Sequence, residues 1–390
     1  MTQAGNQSMV KKNNQRAIVK YLINNGATSR ADLAKILKVS KPTISKNTNE
    51  LIEKGILIEA GKGANELGKK SILVDFNKIH KYVLGIDISK KRFKITVGDL
   101  VCNIKHTVDI EYNHPDEIDF SSFINEFLET HNISNLDIAI IGISYPGIIS
   151  NGEFPNILSE KINQIKLNKL VSSLNEFFDV DIIIKNDINL AIIGERIKSK
   201  LLNIDNLLYI SVDVGVGAGL IINGKLYEGD RKGAGEIGFS VPNINIEGKY
   251  INIEDIVSKT GILNIIKKDF ANIKTSIIYS LCEGIEDNIS IEKFSQALNK
   301  NDDYCIKLKN KISQYIGVTI ANIIALLDIK NVIVGGDIPL LHTSMIKEIN
   351  KVVSELIPFH TNVNLAQIKN SSLIGAVEVA VEETIEMILS

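Results

Sequence analysis

At 390 residues, with 44% hydrophobic and 23% charged side chains, the chain has the composition of a soluble globular protein with two or three domains. No apolar run reaches the length of a membrane span and the polar N-terminus lacks a secretion signal. Three scattered cysteines, Cys102, Cys282 and Cys305, argue against a disulfide framework, so a cytoplasmic protein without a membrane anchor is expected. The net charge of −2 is unevenly spread: residues 1–80 hold 14 Lys and Arg against 6 Asp and Glu, net +8, and the remainder holds 30 against 40, net −10. A basic head on an acidic body fits a head that meets a polyanion, or a merely solvated lysine-rich surface.

The spacing of apolar residues predicts three helices in the first 55 residues. "NNQRAIVKYLINNG" sets Ile18, Leu22 and Ile23 on one face with Val19 beside them, and stops at Gly26. "TSRADLAKILKVS" opens on Thr28 or Ser29 as N-cap and buries Leu33, Ala34, Ile36 and Leu37. "KPTISKNTNELIEKG" has Ser40 as cap and Pro42 in its first turn; its apolar face is Ile44, Leu51 and Ile52, and Gly55 ends it. Two short helices joined by a tight turn form a helix-turn-helix, whose second helix can enter the major groove of DNA. Its outward positions read as Lys41, Thr43, Ser45, Lys46 and Asn47, short polar or basic side chains suited to phosphates and base edges, with Arg30 at the start of the helix before. "ILIEAGKGANELGKKSILVDF" then reads as strand, turn, strand: a wing offering Lys62, Lys69 and Lys70 to the DNA backbone. A winged helix that docks a protein is the alternative.

From residue 81 strands and helices alternate. "VLGIDISKKRFKITVGDL" is a pair of strands around a turn that carries Ser89, Lys90 and Lys91. "LDIAIIGISYPGII" is a buried strand running into a Pro-Gly turn, and "VDIIIKNDINLAIIGERI" a strand that meets Asn186-Asp187 at a helix start. "LLYISVDVGVGAGLIINGKLYEG" reads as a hairpin with Gly215, Gly217 and Gly219 in its turn, and "IKNVIVGGDI" is a late buried strand. Each polar or glycine cluster follows the carboxyl end of a strand, where open α/β sheets place ligands.

The motifs "PGII", "NDINLAIIGE", "GVGAGLIINGKLYEG", "GAGEIGF" and "VIVGGDI" resemble the repressor/open-reading-frame/kinase (ROK) family. "SRADLAKILKVSKPTIS" and "GKKSILVDF" resemble the winged helix of that family's repressors. The resemblance covers residues 13–390 and implies an α/β chain: an N-terminal winged helix-turn-helix (1–80) followed by a two-lobed actin-like ATPase (ROK) fold. Lobe 1 would span 81–195, completed by a C-terminal helix at 374–390, and lobe 2 would span 196–373. In the family, the aspartate of the Asn-Asp pair takes a proton from the sugar hydroxyl being phosphorylated. Asp187 occupies that place and Asn186 the place of a hydroxyl contact, although both residues also suit a helix N-cap. Glu236 and Glu254 match sugar-contacting glutamates, and Gly147 and Asn156 fall on the same pocket.

The departures from the family are as informative. Phe239 stands where the family has a histidine, and "SVPNINIEGKYINIED" has no cysteine; no His or Cys lies between His131 and Cys282, so no structural zinc is expected. Phe239 therefore joins the expected sugar site in place of an imidazole. The first phosphate loop of the family is glycine-rich where this chain has "DISKK", and the second begins Gly-Thr-Gly where this chain has Asp213-Val214-Gly215. These losses predict a DNA-binding repressor that is not an enzyme, uses no cofactor, and responds to a sugar or sugar derivative as a homodimer or tetramer on operator DNA. A bifunctional sugar kinase with a DNA-binding head and a ligand-independent repressor are the alternatives.

Overall fold

The computed structural model of the chain describes residues 3–62, 71–88, 92–111, 119–147, 161–244 and 250–390. Its contacts gather into two compact units: residues 1–145, 160–185 and 376–390, and residues 146–159 and 186–375.

The first unit opens with α1 (Gln3–Asn25), β1 (Thr28–Ser29), α2 (Arg30–Ile36), α3 (Lys41–Glu53), β2 (Leu57–Lys62) and β3 (Ile72–Phe76). Local chemistry sets the helix starts. Ser29 Oγ accepts the Asp32 N–H at 3.1 Å, and Ser40 Oγ accepts the Thr43 N–H at 3.3 Å. Helix α1 begins ten residues earlier than its apolar pattern suggests. In that extension Met9 and Val10 are exposed, and Lys11 ties it to α3 by pairing at 2.6 Å with Glu50, which also accepts from Gln15 Nε2 at 3.1 Å. Ile36 was expected inside and is 48% exposed, because it lies off the face set by Leu33, Ala34 and Leu37 on the short α2. The wing strands pair antiparallel, Leu57 opposite Phe76, in a sheet of order β1-β3-β2.

The same unit continues with β4 (Tyr82–Ile88), β5 (Arg92–Asp99), β6 (Ile104–Glu111), α4 (Phe120–Thr130), β7 (Ile138–Tyr145), α5 (Lys161–Phe177) and β8 (Asp181–Asn186), giving a sheet of order β6-β5-β4-β7-β8. Strand β5 is antiparallel to β4 and β6, and β7 is parallel to β4.

The second unit holds α6 (Asp187–Lys198), β9 (Leu207–Val212), β10 (Val216–Ile222), β11 (Lys225–Leu226) and the small hairpin β12 (Asn243–Ile244) and β13 (Tyr250–Ile251). Five helices follow: α7 (Glu254–Val257), α8 (Lys259–Asp269), α9 (Ile277–Leu281), α10 (Ile291–Asn299) and α11 (Asp303–Leu327). The unit closes with β14 (Asn331–Gly335), α12 (Met345–Leu356) and β15 (Asn362–Leu365). Its main sheet has the order β11-β10-β9-β14-β15, with β10 antiparallel to β9 and β11, and β14 parallel to β9 and β15. The strand order of the first unit's large sheet is thus repeated. The last helix, α13 (Ser371–Ile388), begins in the second unit and ends in the first.

One apolar core continues from the head into the neighbouring sheet and α13 of its unit. Ile18, Leu22, Leu51 and Phe76 share it with Val83, Ile140, Val377 and Leu389. Arg16 of α1 also pairs with Glu386 of α13 at 2.6 Å. The expected boundary at residue 80 therefore carries no break in packing, and the boundary expected at 195 falls inside α6, which packs whole with the second unit. The hairpin reading of residues 207–229 needs one adjustment: only Gly215 lies in the turn, while Gly217 and Gly219 are within β10.

Candidate functional site

On α3, Lys41 and Lys46 are exposed, Thr43 and Ser45 half-buried, and Lys62 is exposed at the end of β2. Asn47 corrects the expectation. It is 3% exposed, with Nδ2 donating to the Thr43 carbonyl at 2.9 Å. Three residues after Ile44 and four before Leu51, it is turned inward by the 3.6-residue period. The exposed polar residue on that turn is Asn49, which the sequence reading missed. Arg30 is committed within the head: its guanidinium donates to Thr48 Oγ1 at 3.1 Å and Asn49 Oδ1 at 3.2 Å, and lies 3.5 Å from Glu59. It braces α2 against α3 and the wing. Lys69 and Lys70 lie outside the described residues.

In the second unit, strand β10 is the hub. Asn186 caps α6, Oδ1 accepting the Ile188 and Asn189 N–H groups at 3.0 and 3.1 Å, while Nδ2 donates to the Gly147 carbonyl at 3.1 Å. Gly147 has φ +149, and its carbonyl thereby anchors the cap. Asp187 opens the helix, half-buried, with Oδ1 accepting the Ile188 N–H at 2.9 Å. The next residue, Ile188, packs so closely on β10 that a Cβ at Gly217 would lie 2.4 Å from its Cδ1. The glycines of "GVGAGL" within the strand thus admit α6 and need no phosphate to explain them.

The loop bearing Glu236 reaches the same strand. Ala218 N–H donates to the Gly235 carbonyl at 2.7 Å, and Gly235 has φ +93 with no room for a Cβ, which would meet the Ala218 oxygen at 1.9 Å. Glu254, the first residue of α7, accepts the Val216 N–H through Oε2 at 2.9 Å. Burial, and then the charge of Glu254, raise the Glu236 carboxyl above the ordinary glutamate value. Glu254 and the loop bearing Glu236 therefore bond to residues 216–218, and α6, capped by Asn186 and opened by Asp187, packs on the same strand through Ile188. Phe239 ends the 3-10 turn after Glu236 and is 50% exposed. Asn156 lies outside the described residues. Converging carboxylates of this kind accept hydrogen bonds from adjacent hydroxyls of a polyol.

Two structural groups went unnoticed in the sequence. Glu195, fully buried, accepts the Gln367 and Ile368 N–H groups at 2.8 and 3.1 Å and so ties α6 to the segment before α13. Burial pushes the Tyr209 phenol up to about 12; a hydrogen bond with Ser371 opposes the rise, and the charges of Glu195, Asp187 and Asp213 add to it. A Cβ at Gly335 would meet the Tyr209 hydroxyl at 2.2 Å, so packing accounts for that glycine. Buried ring groups of this type announce themselves only through distant neighbours.

Of the two turns expected to face a nucleotide, only the second is described in full. Of the first loop, positions 89–91 lie outside the described residues. At the second, the Lys259 ammonium is 2.5 Å from Asp213 Oδ1 and 2.6 Å from Asp337 Oδ2, so the chain's own charges fill the turn. No cluster of three or more His, Cys, Asp or Glu suited to a metal occurs among the described residues.

A winged helix with exposed lysines, built on the first of two sheets of the same strand order, defines a DNA reader joined to an actin-like body. The sequence matches the ROK family over residues 83–383 and a winged helix-turn-helix DNA-binding family over residues 12–58. The chain belongs to the ROK family. It is 25% identical over 394 residues to the xylose repressor of Bacillus subtilis, which covers 98% of each chain. It is 23% identical over 401 residues to the DNA-binding transcriptional dual regulator NagC of Escherichia coli, covering 96% of this chain and 93% of that one. A crystal structure of a ROK family transcriptional regulator, a homologue of the E. coli MLC protein, superposes with a TM-score of 0.78 at 20% identity, covering 98% of this chain and 99% of the other. A ROK glucokinase from Streptomyces griseus in complex with glucose and AMPPNP gives a TM-score of 0.61 at 20% identity, over 76% of this chain and 98% of its own.

Proposed function

We propose that the chain is a transcriptional repressor whose operator affinity is set by a sugar or sugar derivative held at Asp187, Glu236 and Glu254. The observation that carries this reading is the pairing of Glu236 with Glu254 beside β10, the strand on which α6, opened by Asp187, also packs, in a chain that bears the exposed lysines of α3 and β2. Lys41, Thr43, Ser45 and Lys46, with Asn49 added, face operator DNA, and Lys62 meets its phosphates; Asn47 keeps a packing role. Asn186 serves mainly as the cap that presents Asp187, since Oδ1 and one amide hydrogen are used by the chain. Relatives that span nearly the whole chain include a xylose repressor and an N-acetylglucosamine repressor, so D-xylose and N-acetyl-D-glucosamine are the first effectors to try. Winged-helix readers bind paired half-sites, which favours a homodimer or a tetramer. An operator is chromosomal, which places the chain in the cytoplasm; no helix among the described residues is long and apolar enough to cross a membrane.

Phosphoryl transfer requires that the transferred phosphates and their metal be positioned. Here an internal lysine neutralises Asp213 and Asp337 instead. A ligand-independent repressor is the second reading, favoured by Phe239 in place of a ring that could hydrogen-bond. The test is a titration of operator DNA with full-length protein, with and without D-xylose, D-glucose or N-acetyl-D-glucosamine, beside an ADP-release assay on the same sugars. A shift in operator midpoint without ADP release is expected. ADP release would establish the kinase, and an unmoved midpoint with every sugar would leave the ligand-independent repressor.

A further inference from the structure

One ammonium joins three separate segments of the second unit. Lys259 Nζ lies 2.5 Å from Asp213 Oδ1, in the turn after β9, and 2.6 Å from Asp337 Oδ2, in the loop after β14. No other ion pair to either carboxylate occurs among the described residues. The backbone of Lys259 holds the same turn, its N–H donating to the Asp213 carbonyl at 2.8 Å. Five residues earlier, Glu254 Oε2 accepts the Val216 N–H at 2.9 Å. The segment 254–259 therefore grips the 213–216 turn at both of its ends. Ser258, next to Lys259, fixes the end of that segment, its Oγ capping α8 through the Gly261 N–H at 3.0 Å. Burial pulls the Lys259 amine down, but the hydrogen bonds and charges of Asp213 and Asp337 outweigh it and the net shift is upward, so the charge persists through the neutral range.

We infer that Lys259 is a positioning residue for the polyol site: it fixes the 213–216 turn, whose Val216 N–H in turn orients the Glu254 carboxylate. This rests on the proposed reading of Glu254 as a ligand contact. Without the ammonium, the Asp213 and Asp337 carboxylates repel across the loops and the turn keeps only its backbone clamp. Glu254 Oε2 then follows a Val216 N–H that is no longer held in place. The ligand loses a preorganised acceptor although no atom that touches it has been removed.

Full-length wild type, Lys259→Met and Lys259→Arg proteins separate the steps. In hydrogen–deuterium exchange without sugar, Lys259→Met is expected to raise exchange in peptides covering 213–217 by about tenfold or more, leaving the head and β4–β8 at wild-type rates. Calorimetric titration with D-xylose, D-glucose and N-acetyl-D-glucosamine is expected to show about tenfold weaker binding of the responsive sugar to Lys259→Met, and near wild-type binding to Lys259→Arg, which keeps the charge. Should Lys259→Met not fold, Asp337→Asn removes one partner at a side chain that is 65% exposed, and is expected to act in the same direction to a smaller extent. Unchanged exchange at 213–217 in these variants would overturn the staple. Arginine as weak as methionine would show that packing, and not charge, carries the effect, which also overturns it. A wild type that binds none of the three sugars would remove the polyol reading and the ligand half of this inference, while the exchange result still decides the staple.

Discussion

The two large sheets of this chain share one strand order and serve different ends. In the first, β6-β5-β4-β7-β8, the apolar side chains of β4 and β7 are continuous with the core of the winged helix, through Val83, Ile140, Leu22 and Leu51. The sheet is a platform that holds the DNA reader. In the second, β11-β10-β9-β14-β15, the strand ends carry polar business: Asp213 and Asp337 follow β9 and β14, and Glu254 grips the start of β10. The glycines within β10 let α6 approach and bring Asp187 with it. Strand order sets where loops emerge, but the residues packed on those loops decide whether a sheet supports a partner or binds a ligand.

The largest effect should come from breaking the platform. Leu22→Ala removes fully buried side-chain atoms from the shared core and is expected to cost about 2–5 kcal/mol. Because that core is continuous, scanning calorimetry should show the transition of the whole first unit moving down. A separate early transition for the head, with the rest unmoved, would divide the platform from the reader.

The second sheet is probed by Asp187→Asn. Replacing one acceptor oxygen by a donor is expected to weaken sugar binding by about 1.5–3 kcal/mol, roughly ten- to a hundred-fold. Operator binding without sugar should stay at the wild-type value. An inducer midpoint equal to that of wild type would reduce Asp187 to a helix cap and leave the second sheet without its assigned role.

Contrasts within the head are smaller. Ser45→Ala or Lys46→Ala should weaken specific operator binding by about 1–3 kcal/mol where the side chain reaches a base. Asn47→Ala should instead lower thermal stability by about 1 kcal/mol, since it loses the bond to the Thr43 carbonyl, and leave sequence preference intact. Lys62→Ala should weaken binding to operator and random DNA alike and reduce the salt slope by about one. Changed base preference in Asn47→Ala would return that residue to the reading face.

The smallest effect is a pH dependence, read as the difference between wild type and Glu236→Gln. Burial and the Glu254 charge raise the Glu236 carboxyl in the folded state. Its contribution to stability without sugar is therefore full below the ordinary glutamate range and is lost as pH rises through the raised value. Sugar affinity should run the opposite way, weakening as pH falls and the carboxylate takes a proton. A wild type and variant with parallel pH profiles for both quantities would place Glu236 outside the site.

Much of the head was legible because its determinants are local. Ser29 and Ser40 cap helices three residues away, and the apolar spacing of Ile18, Leu22, Ile44 and Leu51 names the buried face within single helices. The site was legible in its parts, since Asn186-Asp187 at a strand-to-helix junction and Glu236 in a glycine loop are short patterns. Asn47 was misplaced by its polar side chain, although its spacing from Ile44 and Leu51 already sets it on the apolar face. The pairing of Lys259 with Asp213 and Asp337, the clamp of Glu254 on Val216, and the core that unites residues 18–76 with α13 were decided only by tertiary structure. Caps and periodicity act across three or four residues, where the backbone itself fixes the geometry. Charges and apolar side chains separated by tens or hundreds of residues acquire their partners only when the chain has closed the loops between them.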